Sequence, residues 1–197
     1  VVATRNKDKL REIKALLKGL RVRVFSLDSF KGVPEVIEDG ETLEDNAIKK
    51  AVQASKFLKK FAVADDSGLE VEYLNGDPGV YSARFSGKDA TYKTNNEKLL
   101  KLLKGVPLSK RKACFRCVIA IADKGKVIGV AEGRCCGKIG FESKGDNGFG
   151  YDPVFIPNAF KKTFAQMSAS RKNNISHRSI ALKKAKSIIS SHLALYR

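Results

Sequence analysis

Acidic side chains stand at two places where the sequence indicates that a regular element ends or begins. Asp65 and Asp66 follow the apolar run FAVA at residues 61–64. Further acids lie around the start of the helix predicted at residue 42, namely Glu38, Asp39, Glu41 and Glu44. Mg²⁺ prefers oxygen ligands and is often held by one or two carboxylates with water and substrate phosphates. These acids are candidate metal ligands, and a turn cap at Asp65 with solvated loop acids is the alternative. Because successive strand residues face opposite ways, we expect only one of Asp65 and Asp66 to face a ligand.

The opening loop, TRNKDK at residues 4–9, precedes a predicted helix. Free backbone N–H groups and the positive end of a helix dipole at such a position favour phosphate. Thr4 and Asn6 can donate hydrogen bonds, and Lys9 adds positive charge. The loop lacks the glycines of a Walker A motif. A simple turn between a strand and a helix has a similar composition, so both interpretations stay open at this point.

The stretch GDNGFGYDP at residues 145–153 combines glycines with two aromatic rings. Glycine allows the backbone to approach a ligand closely, and the rings of Phe149 and Tyr151 offer flat apolar surfaces. Together with Gly150 and Asp152, they could contact a planar ligand. A hairpin loop with glycine turns is the alternative.

The tripeptide Ser176-His177-Arg178 opens the last predicted helix, and Lys172 lies shortly before it. Positive side chains at a helix N-terminus oppose the helix dipole and therefore do not favour helix stability. A bound anion or a base carbonyl at this position would offset that cost. His192 lies near the end of the same helix, where a cation is favourable, and we interpret it as structural.

The elements that must position these residues alternate between strands and helices. Helices are predicted at residues 9–19, 42–58, 94–105 and 176–195. Strands are predicted at residues 1–3, 21–27, 61–65 and 69–74, with a turn at Ser67-Gly68, and again after the glycine loop. Thr42 and Asp45 form a capping-box pair, and Lys124-Gly125 joins residues 111–123 to 126–139 as a hairpin. The pattern predicts an α/β protein with a mixed sheet and no clear domain boundary.

The net charge is unusually positive. The chain has 38 Lys and Arg against 21 Asp and Glu, a formal charge of +17. Such a field attracts anions, including nucleotides, nucleic acid and acidic membrane surfaces. A lysine-rich solvated surface is the simpler explanation, and no apolar run has the length of a membrane span.

Four cysteines raise the question of a zinc site. Cys114 and Cys117 are spaced as C-x-x-C, but they lie in a predicted strand rather than on a tight knuckle. Cys135 and Cys136 are adjacent and point to opposite faces of a strand. We interpret all four as reduced thiols with packing roles in a reducing compartment, which places the protein in the cytoplasm.

Six motifs together resemble the inosine triphosphate pyrophosphatase family, the non-canonical purine nucleoside triphosphate pyrophosphatases. In order, they are ATRNKDK, ETLEDNAIKKA, ADDSGLEV, PGVYSARFSG, GFGYDPVF and SHRSIAL. The resemblance covers nearly the whole chain and implies a two-lobed single domain with a long mixed β-sheet flanked by helices and the active site in the cleft between the lobes. It also implies a Mg²⁺-dependent homodimer that cleaves ITP, dITP and XTP to the monophosphate and pyrophosphate.

The resemblance also implies a role for each matching residue. Asp66 would serve the metal and activate water, and Glu38 would be the second metal acid, with Glu41 and Glu44 as competitors. The triphosphate would be held by Thr4, Asn6, Lys9 and Lys50, and Ser67 would contact the substrate. The base pocket would be shaped by Phe149, Gly150, Tyr151 and Asp152, and the base oxygens would be read by Lys172, His177 and Arg178. Arg5 stands where many members have glycine.

Two other functional classes compete with this interpretation. A basic nucleic-acid-binding module without hydrolase activity would explain the charge and the scattered aromatic residues. Binders of a phosphate backbone need a continuous basic face, however, and here lysine is spread over every predicted helix. A metal-free nucleotide-binding protein would have no use for acids near phosphate. We therefore expect an enzyme and do not expect nucleic acid or membrane as a partner.

Overall fold

The structure, a computed structural model, describes residues 1–20 and 22–194. Its α-helices are α1 (Lys7–Leu16), α2 (Leu43–Leu58), α3 (Tyr92–Leu102), α4 (Ala169–Ile175) and α5 (His177–Ala194). Its strands are β1 (Ala62–Val71), β2 (Lys112–Asp123), β3 (Lys126–Ile139) and β4 (Phe155–Pro157). They form a four-stranded sheet in the order β1-β2-β3-β4.

The sheet combines parallel and antiparallel pairing. Strand β3 pairs antiparallel with β4, whereas isolated parallel bridges join Val2 to Ser26 and to Val63. The predicted α/β class with a mixed sheet flanked by helices is therefore confirmed. Within the described residues, no helix is both long and apolar enough to cross a membrane.

The chain divides into two compact units, in agreement with the expected two lobes. The first contains Val1–Asp66, Cys117–Gly133 and the described residues from His177 onward, and the second contains Ser67–Arg116 and Arg134–Ser176. Each unit has an apolar core of its own. Ile13 and Leu182 are buried in the core of the first, and Phe115 and Phe155 in that of the second. In each unit, the strands and helices packed on this core can therefore hold polar side chains in fixed positions.

Strand β1 corrects one prediction. We expected a strand to end at Asp65 and the chain to turn at Ser67-Gly68, but β1 runs without interruption from Ala62 to Val71. Gly68 serves close packing rather than a turn, because a Cβ atom at this position would lie 2.3 Å from the carbonyl oxygen of Gly79. The strands predicted at residues 61–65 and 69–74 are therefore parts of one strand, which ends at Val71. A 3₁₀ turn, Glu72–Leu74, follows it.

The strand predicted at residues 21–27 is also wrong where the structure describes it. Residue 21 lies outside the described residues, residues 22–25 have no regular structure, and Leu27–Ser29 form a 3₁₀ turn. Among the described residues, the pairing here is limited to the bridge between Val2 and Ser26 and the hydrogen bond from the Val2 N–H to the Phe25 carbonyl. The alternating sequence has too short a partner to form a ladder, because the predicted strand at residues 1–3 is itself reduced to Val2.

The helix starts follow local signals in the sequence. Thr42 and Asp45 form the predicted capping box of α2, and Asn6 caps α1 by accepting hydrogen bonds from the N–H groups of Asp8 and Lys9. Helix α5 begins within one residue of the predicted start, and the predicted end at residue 195 lies outside the described residues. Helix α4 was not predicted.

The cysteine prediction is wrong for two of the four residues. Cys114 on β2 and Cys136 on β3 form a disulfide, with Cα atoms 4.0 Å apart. The hairpin brings them together, which the spacing in the sequence does not reveal. Cys117 and Cys135 are not disulfide-bonded and fit the packing role. Burial raises the pKa of the Cys135 thiol to about 11.

Candidate active site

Strand β1 presents Asp65 and Asp66 to different helices, as expected for consecutive residues of a strand. Asp66 contacts Lys50 of α2, whereas Asp65 contacts Lys9 of α1 and Arg178 of α5. Both aspartates are buried, with exposed fractions of 1% and 5%. All five residues belong to the first unit, and they divide into two clusters around the two carboxylates.

The first cluster joins Asp66 to Glu38 through one ammonium group. The Nζ atom of Lys50 lies 2.7 Å from Oδ1 of Asp66 and 3.1 Å from Oε1 of Glu38. Lys50 is buried on the face of α2 that also carries Ala47 and Ala51. Two acids that lie 28 positions apart in the sequence therefore converge on the same side chain.

The loop that carries Glu38 is held against the start of α2. The Gly40 N–H donates to Oδ1 of Asn46 at 2.8 Å, and Lys49 pairs with Asp39. A Cβ atom at Gly40 would lie 2.7 Å from Cβ of Asp45, so glycine allows this close approach. The loop packing supports Glu38 rather than the exposed Glu41 and Glu44 as the second acid.

Burial and charge act in opposite directions in this cluster. Burial disfavours the ammonium of Lys50, but the charges of Asp66, Asp65 and Glu38 outweigh it and raise the pKa of Lys50. Burial raises the pKa of Asp66, and Lys50 offsets only part of that effect. Lys50 therefore stays charged near neutral pH, and Asp66 is a stronger proton acceptor than an exposed aspartate.

The donor set of Glu38 and Asp66 fits a hard divalent cation. Both side chains direct a carboxylate oxygen to the ammonium group of Lys50, so this position already favours a positive charge. Within residues 1–20 and 22–194, no group of three or more His, Cys, Asp or Glu could hold a metal ion. Two carboxylates match the usual Mg²⁺ site, in which water and substrate phosphates supply the other ligands.

The second cluster surrounds Asp65. Its Oδ2 atom lies 3.2 Å from Nζ of Lys9 and 3.2 Å from Nη2 of Arg178. Arg178 also donates to Oε2 of Glu12 at 2.5 Å. Burial opposes ionisation of Asp65, but the charges of Lys9, Arg178 and Lys50 hold its pKa well below the usual range. Glu12 was not singled out from the sequence, because it lies on a predicted helix without a motif around it.

The opening loop organises its own side chains. Asn6 caps α1, and Oγ1 of Thr4 accepts a hydrogen bond from the Asn6 N–H at 3.2 Å. These side chains shape the turn that brings Lys9 to Asp65. His177, the first residue of α5, is buried with an exposed fraction of 4%.

A further set of predicted residues gathers in the second unit. Oδ2 of Asp152 accepts hydrogen bonds from Nζ of Lys172 and from the Phe149 N–H. The Lys172 ammonium lies 4.8 Å from the centre of the Phe149 ring, a cation–π distance. The loop thus holds a buried cation beside an aromatic face. Ser67, in β1, is half-buried in the same unit.

The remaining loop residues are held by contacts that the sequence did not indicate. The Gly150 carbonyl accepts a hydrogen bond from Nδ2 of Asn96 on α3 at 2.9 Å, and Gly150 has a positive φ of 63°. The Tyr151 hydroxyl donates to the Ser82 carbonyl at 2.9 Å, and the ring is buried. Tyr151 therefore contributes to the core, and Asn96 is a supporting residue that sequence reasoning missed.

Comparison with known proteins gives consistent matches along the chain. The model of the Ham1 family matches residues 1–188. A dITP/XTP pyrophosphatase from Desulforamulus reducens is 54% identical over 189 residues, covering 96% of this chain and 94% of that protein. One from Thermoanaerobacter pseudethanolicus is 47% identical over 194 residues, covering 98% and 97%.

Solved structures agree with these matches. A HAM1 protein from Coxiella burnetii has a TM-score of 0.87 at 38% identity and covers 96% of this chain and 97% of that one. The Ham1 protein of Staphylococcus aureus has a TM-score of 0.85, also at 38% identity, with 97% of each chain covered.

Proposed function

The chain belongs to the Ham1 family, and on that premise we propose that it hydrolyses non-canonical purine nucleoside triphosphates (ITP, dITP and XTP) to the monophosphate and pyrophosphate. The observation that carries the proposal is the Lys50 ammonium, which holds the carboxylates of Glu38 and Asp66 together. The names of the relatives as dITP/XTP pyrophosphatases point to the same reaction.

Glu38 and Asp66 are the residues that we propose as ligands of Mg²⁺. A bound Mg²⁺ would offset negative charge on the triphosphate. Lys50 lies between the two carboxylates and keeps both in place. When Mg²⁺ is bound beside it, the Lys50 ammonium can donate to a phosphate oxygen, because it carries three N–H donors.

Asp66 is the proposed general base. Its carboxylate is buried, and burial raises its pKa, so it accepts a proton from water more readily than an exposed aspartate. In the reaction, a water oxygen forms a bond to the α-phosphorus while the bond from that phosphorus to the bridging oxygen breaks. Asp66 takes the water proton, and pyrophosphate leaves with the bridging oxygen.

The first turn of α1 is the proposed triphosphate contact. Lys9 supplies an ammonium that is 17% exposed, and Asn6 and Thr4 fix the turn around it. The positive end of the helix dipole adds to the attraction for phosphate. Because these contacts do not involve the base, they bind all nucleoside triphosphates alike.

The loop around Phe149 and Lys172 is the proposed base contact. Hypoxanthine and xanthine present a 6-oxo group, which accepts a hydrogen bond from a donor such as Lys172, whereas adenine presents an amino group. A buried donor that is left unpaired costs about 1–3 kcal/mol, and more if it is charged. Lys172 is 4% exposed, and one of its three N–H donors bonds to Asp152. A further donor that loses the base oxygen as its partner would therefore disfavour ATP. The rival role in nucleic-acid binding rests on the net charge and the scattered aromatic residues.

Pyrophosphate release from ITP, XTP, dITP, ATP and GTP tests the proposal. With Mg²⁺, we expect the first three to be hydrolysed at least about 10-fold faster than ATP, the factor that one lost buried hydrogen bond supplies. We also expect GTP to be slower, but guanine shares the 6-oxo group, so its rejection requires exclusion of its 2-amino group rather than loss of this hydrogen bond. A chelator should abolish turnover, and added Mg²⁺ should restore it. Equal rates for ATP and ITP would refute base selection, and full activity in the chelator would refute the metal.

A further inference from the structure

We propose that helix α3 positions the loop at residues 148–152 for the base of the substrate, through the side chains of Asn96 and Tyr92. The base contact of this loop rests on the proposed function. Asn96 and Tyr92 act through the loop and are therefore positioning residues. Neither lies in one of the six motifs that carry the family resemblance.

The backbone of the loop at residues 148–152 has little rigidity of its own. Phe149 lies between two glycines with positive φ angles, 76° at Gly148 and 63° at Gly150. Glycine moves between backbone conformations at little cost, so these neighbours do not fix the direction of the Phe149 ring. Within the loop, the Phe149 N–H donates to Oδ2 of Asp152. The Gly150 side of the turn therefore depends on contacts from another element.

Asn96 holds the carbonyl group on that side of the turn. Its Nδ2 atom donates to the Gly150 carbonyl oxygen at 2.9 Å, and the residue is 6% exposed. Its Oδ1 atom is buried and accepts no hydrogen bond from the described residues. Because a buried polar atom without a partner has a cost, packing alone would be served better by an apolar side chain. The donated bond explains the amide, and it keeps the peptide group after Gly150 in one orientation.

Tyr92 supports the aromatic ring of the same turn. The centres of the Tyr92 and Phe149 rings are 5.9 Å apart, and the ring planes meet at 43°, which is within the usual range of aromatic pairs. The Lys172 ammonium lies 4.8 Å from the centre of the Phe149 ring. Tyr92 is 44% exposed and Phe149 is partly exposed, so the pair also offers apolar surface to a ligand. Tyr92 thus restricts the ring that faces the proposed base-reading ammonium.

Helix α3 is itself held in place by the core of the second unit. Tyr92, Asn96 and Leu99 are four and three positions apart and therefore share one face of the helix. Leu99 and Leu103 are fully buried in the core of this unit. Nη2 of the buried Arg111 donates to the Leu103 carbonyl. A shift of Asn96 or Tyr92 relative to the loop would thus require the helix to leave its core.

A purely structural role for the two contacts makes a different prediction. Loss of a buried hydrogen bond lowers the free energy of unfolding wherever the bond lies. Loosening of a loop that contacts the base weakens only the binding of ligands that carry a base. Inosine monophosphate (IMP) has a base and tripolyphosphate has none, so the two ligands together distinguish these roles.

Binding of IMP and tripolyphosphate to Asn96→Leu, measured by calorimetry with Mg²⁺, tests the proposal. Leucine keeps the approximate size of asparagine but cannot donate to the Gly150 carbonyl. IMP binding should weaken at least about fivefold, the effect of one lost hydrogen bond, whereas tripolyphosphate binding should stay within about twofold of wild type. Unchanged IMP binding, or an equal loss for both ligands, would overturn the proposal.

Ser55→Ala is the matched control for Asn96→Leu. The Ser55 hydroxyl also holds a backbone group, since it accepts a hydrogen bond from the Gly125 N–H at 3.1 Å. Both of these residues belong to the first unit and lie outside its two charged clusters. Ser55→Ala should therefore lower the midpoint of thermal unfolding and leave the affinities for IMP and tripolyphosphate unchanged. A loss of IMP affinity as large as that of Asn96→Leu would show that the effect does not come from the loop and would count against the proposal.

Substitutions of Tyr92 give a second test by steady-state kinetics. Tyr92→Ala should raise KM for ITP about three- to tenfold, the effect of one aromatic pair, with kcat nearly unchanged, because the contact is equal in the ground and transition states. Tyr92→Phe keeps the ring, so its KM should stay within about twofold of wild type. A wild-type KM in Tyr92→Ala would contradict the role of this residue.

Two further outcomes separate this proposal from the proposed function. If Asn96→Leu fails to fold, IMP binding by Tyr92→Ala decides the role of α3, and unchanged binding would overturn it. A wild type that binds IMP but releases no pyrophosphate from ITP would refute the proposed function. The IMP affinities of the Asn96 and Tyr92 variants would still decide whether α3 positions the loop.

Discussion

At the scale of single residues, Asp65 and Asp66 have the same chemistry but different surroundings. Asp65 contacts Lys9 and Arg178, and its pKa is held well below the usual range because these charges outweigh burial. Asp66 has Lys50 as its near partner, and burial raises its pKa. A carboxylate with a low pKa is a fixed anion, whereas one with a raised pKa can take a proton. The difference supports Asp66 as the base and Asp65 as the structural partner.

The substitution Asp66→Asn tests this assignment. It preserves shape but removes the proton acceptor, so kcat for ITP should fall about 10²- to 10⁴-fold, the usual contribution of a general base. Glu38 remains as a partner for Lys50, and we therefore expect the thermal unfolding transition to stay cooperative.

Asp39→Asn is the matched control for Asp66→Asn. Asp39 lies next to Glu38, but its side chain is 63% exposed and pairs with Lys49. Because exposed ion pairs contribute little to the free energy of unfolding, the activity and stability of Asp39→Asn should stay close to those of wild type. Wild-type kcat in Asp66→Asn, measured with pyrophosphate release, would contradict the catalytic role.

At the scale of elements, glycine sets how closely helix α5 approaches strand β3. Gly133 leaves room for the His177 carbonyl and the Ala181 nitrogen, both backbone atoms that cannot move without moving the helix. Gly129 lies four positions earlier on the same strand and faces only the side chain of Ile188, whose nearest atom would be 3.0 Å from an added Cβ. The two glycines therefore differ in what a methyl group would displace.

Gly133→Ala should lower both stability and activity, with Gly129→Ala as the matched control. The added methyl at Gly133 must push the first turn of α5 away from β3, and overpacking of this kind costs about 1–3 kcal/mol in the free energy of unfolding. Because that turn carries Arg178, kcat/KM for ITP should fall as well. Gly129→Ala should have a smaller effect, since a side chain can rotate. Urea unfolding and pyrophosphate release measure both, and equal effects would contradict the packing argument.

At the scale of the whole molecule, the net charge of +17 acts on a substrate that carries several negative charges. Surface charge of one sign raises the capture rate of an oppositely charged ligand, and salt screens the effect. The field is a sum over many exposed side chains, including Lys161 and Lys162. It therefore influences binding more than the chemical step.

Raising KCl from about 50 to 300 mM should increase KM for ITP about three- to tenfold and leave kcat nearly unchanged, because the Debye length shortens over this range. The double substitution of Lys161→Gln and Lys162→Gln removes two exposed charges from the sum. Its KM should stay within about twofold of wild type, with the salt dependence retained. A KM that does not respond to KCl would show that the overall charge has no part in substrate capture.

The sequence by itself determined the features that depend on neighbouring residues and on motif order. The start of α2 follows from Thr42 and Asp45, which are three positions apart and bond to each other. The hairpin follows from Lys124-Gly125 between two apolar runs. The order of the six motifs identified the family, and site residues in and near these motifs gather in two clusters of one unit and one loop cluster of the other.

Only the tertiary structure decided the contacts between distant segments. Strand β1 runs through Gly68, which packs against Gly79, and the disulfide joins Cys114 and Cys136, which the hairpin brings together. The pairing of Arg178 with Glu12 joins residues 166 positions apart. Local sequence encodes caps and turns because their partners are close along the chain, but the partner of a buried charge is chosen by packing and desolvation, which exist only once the chain has folded.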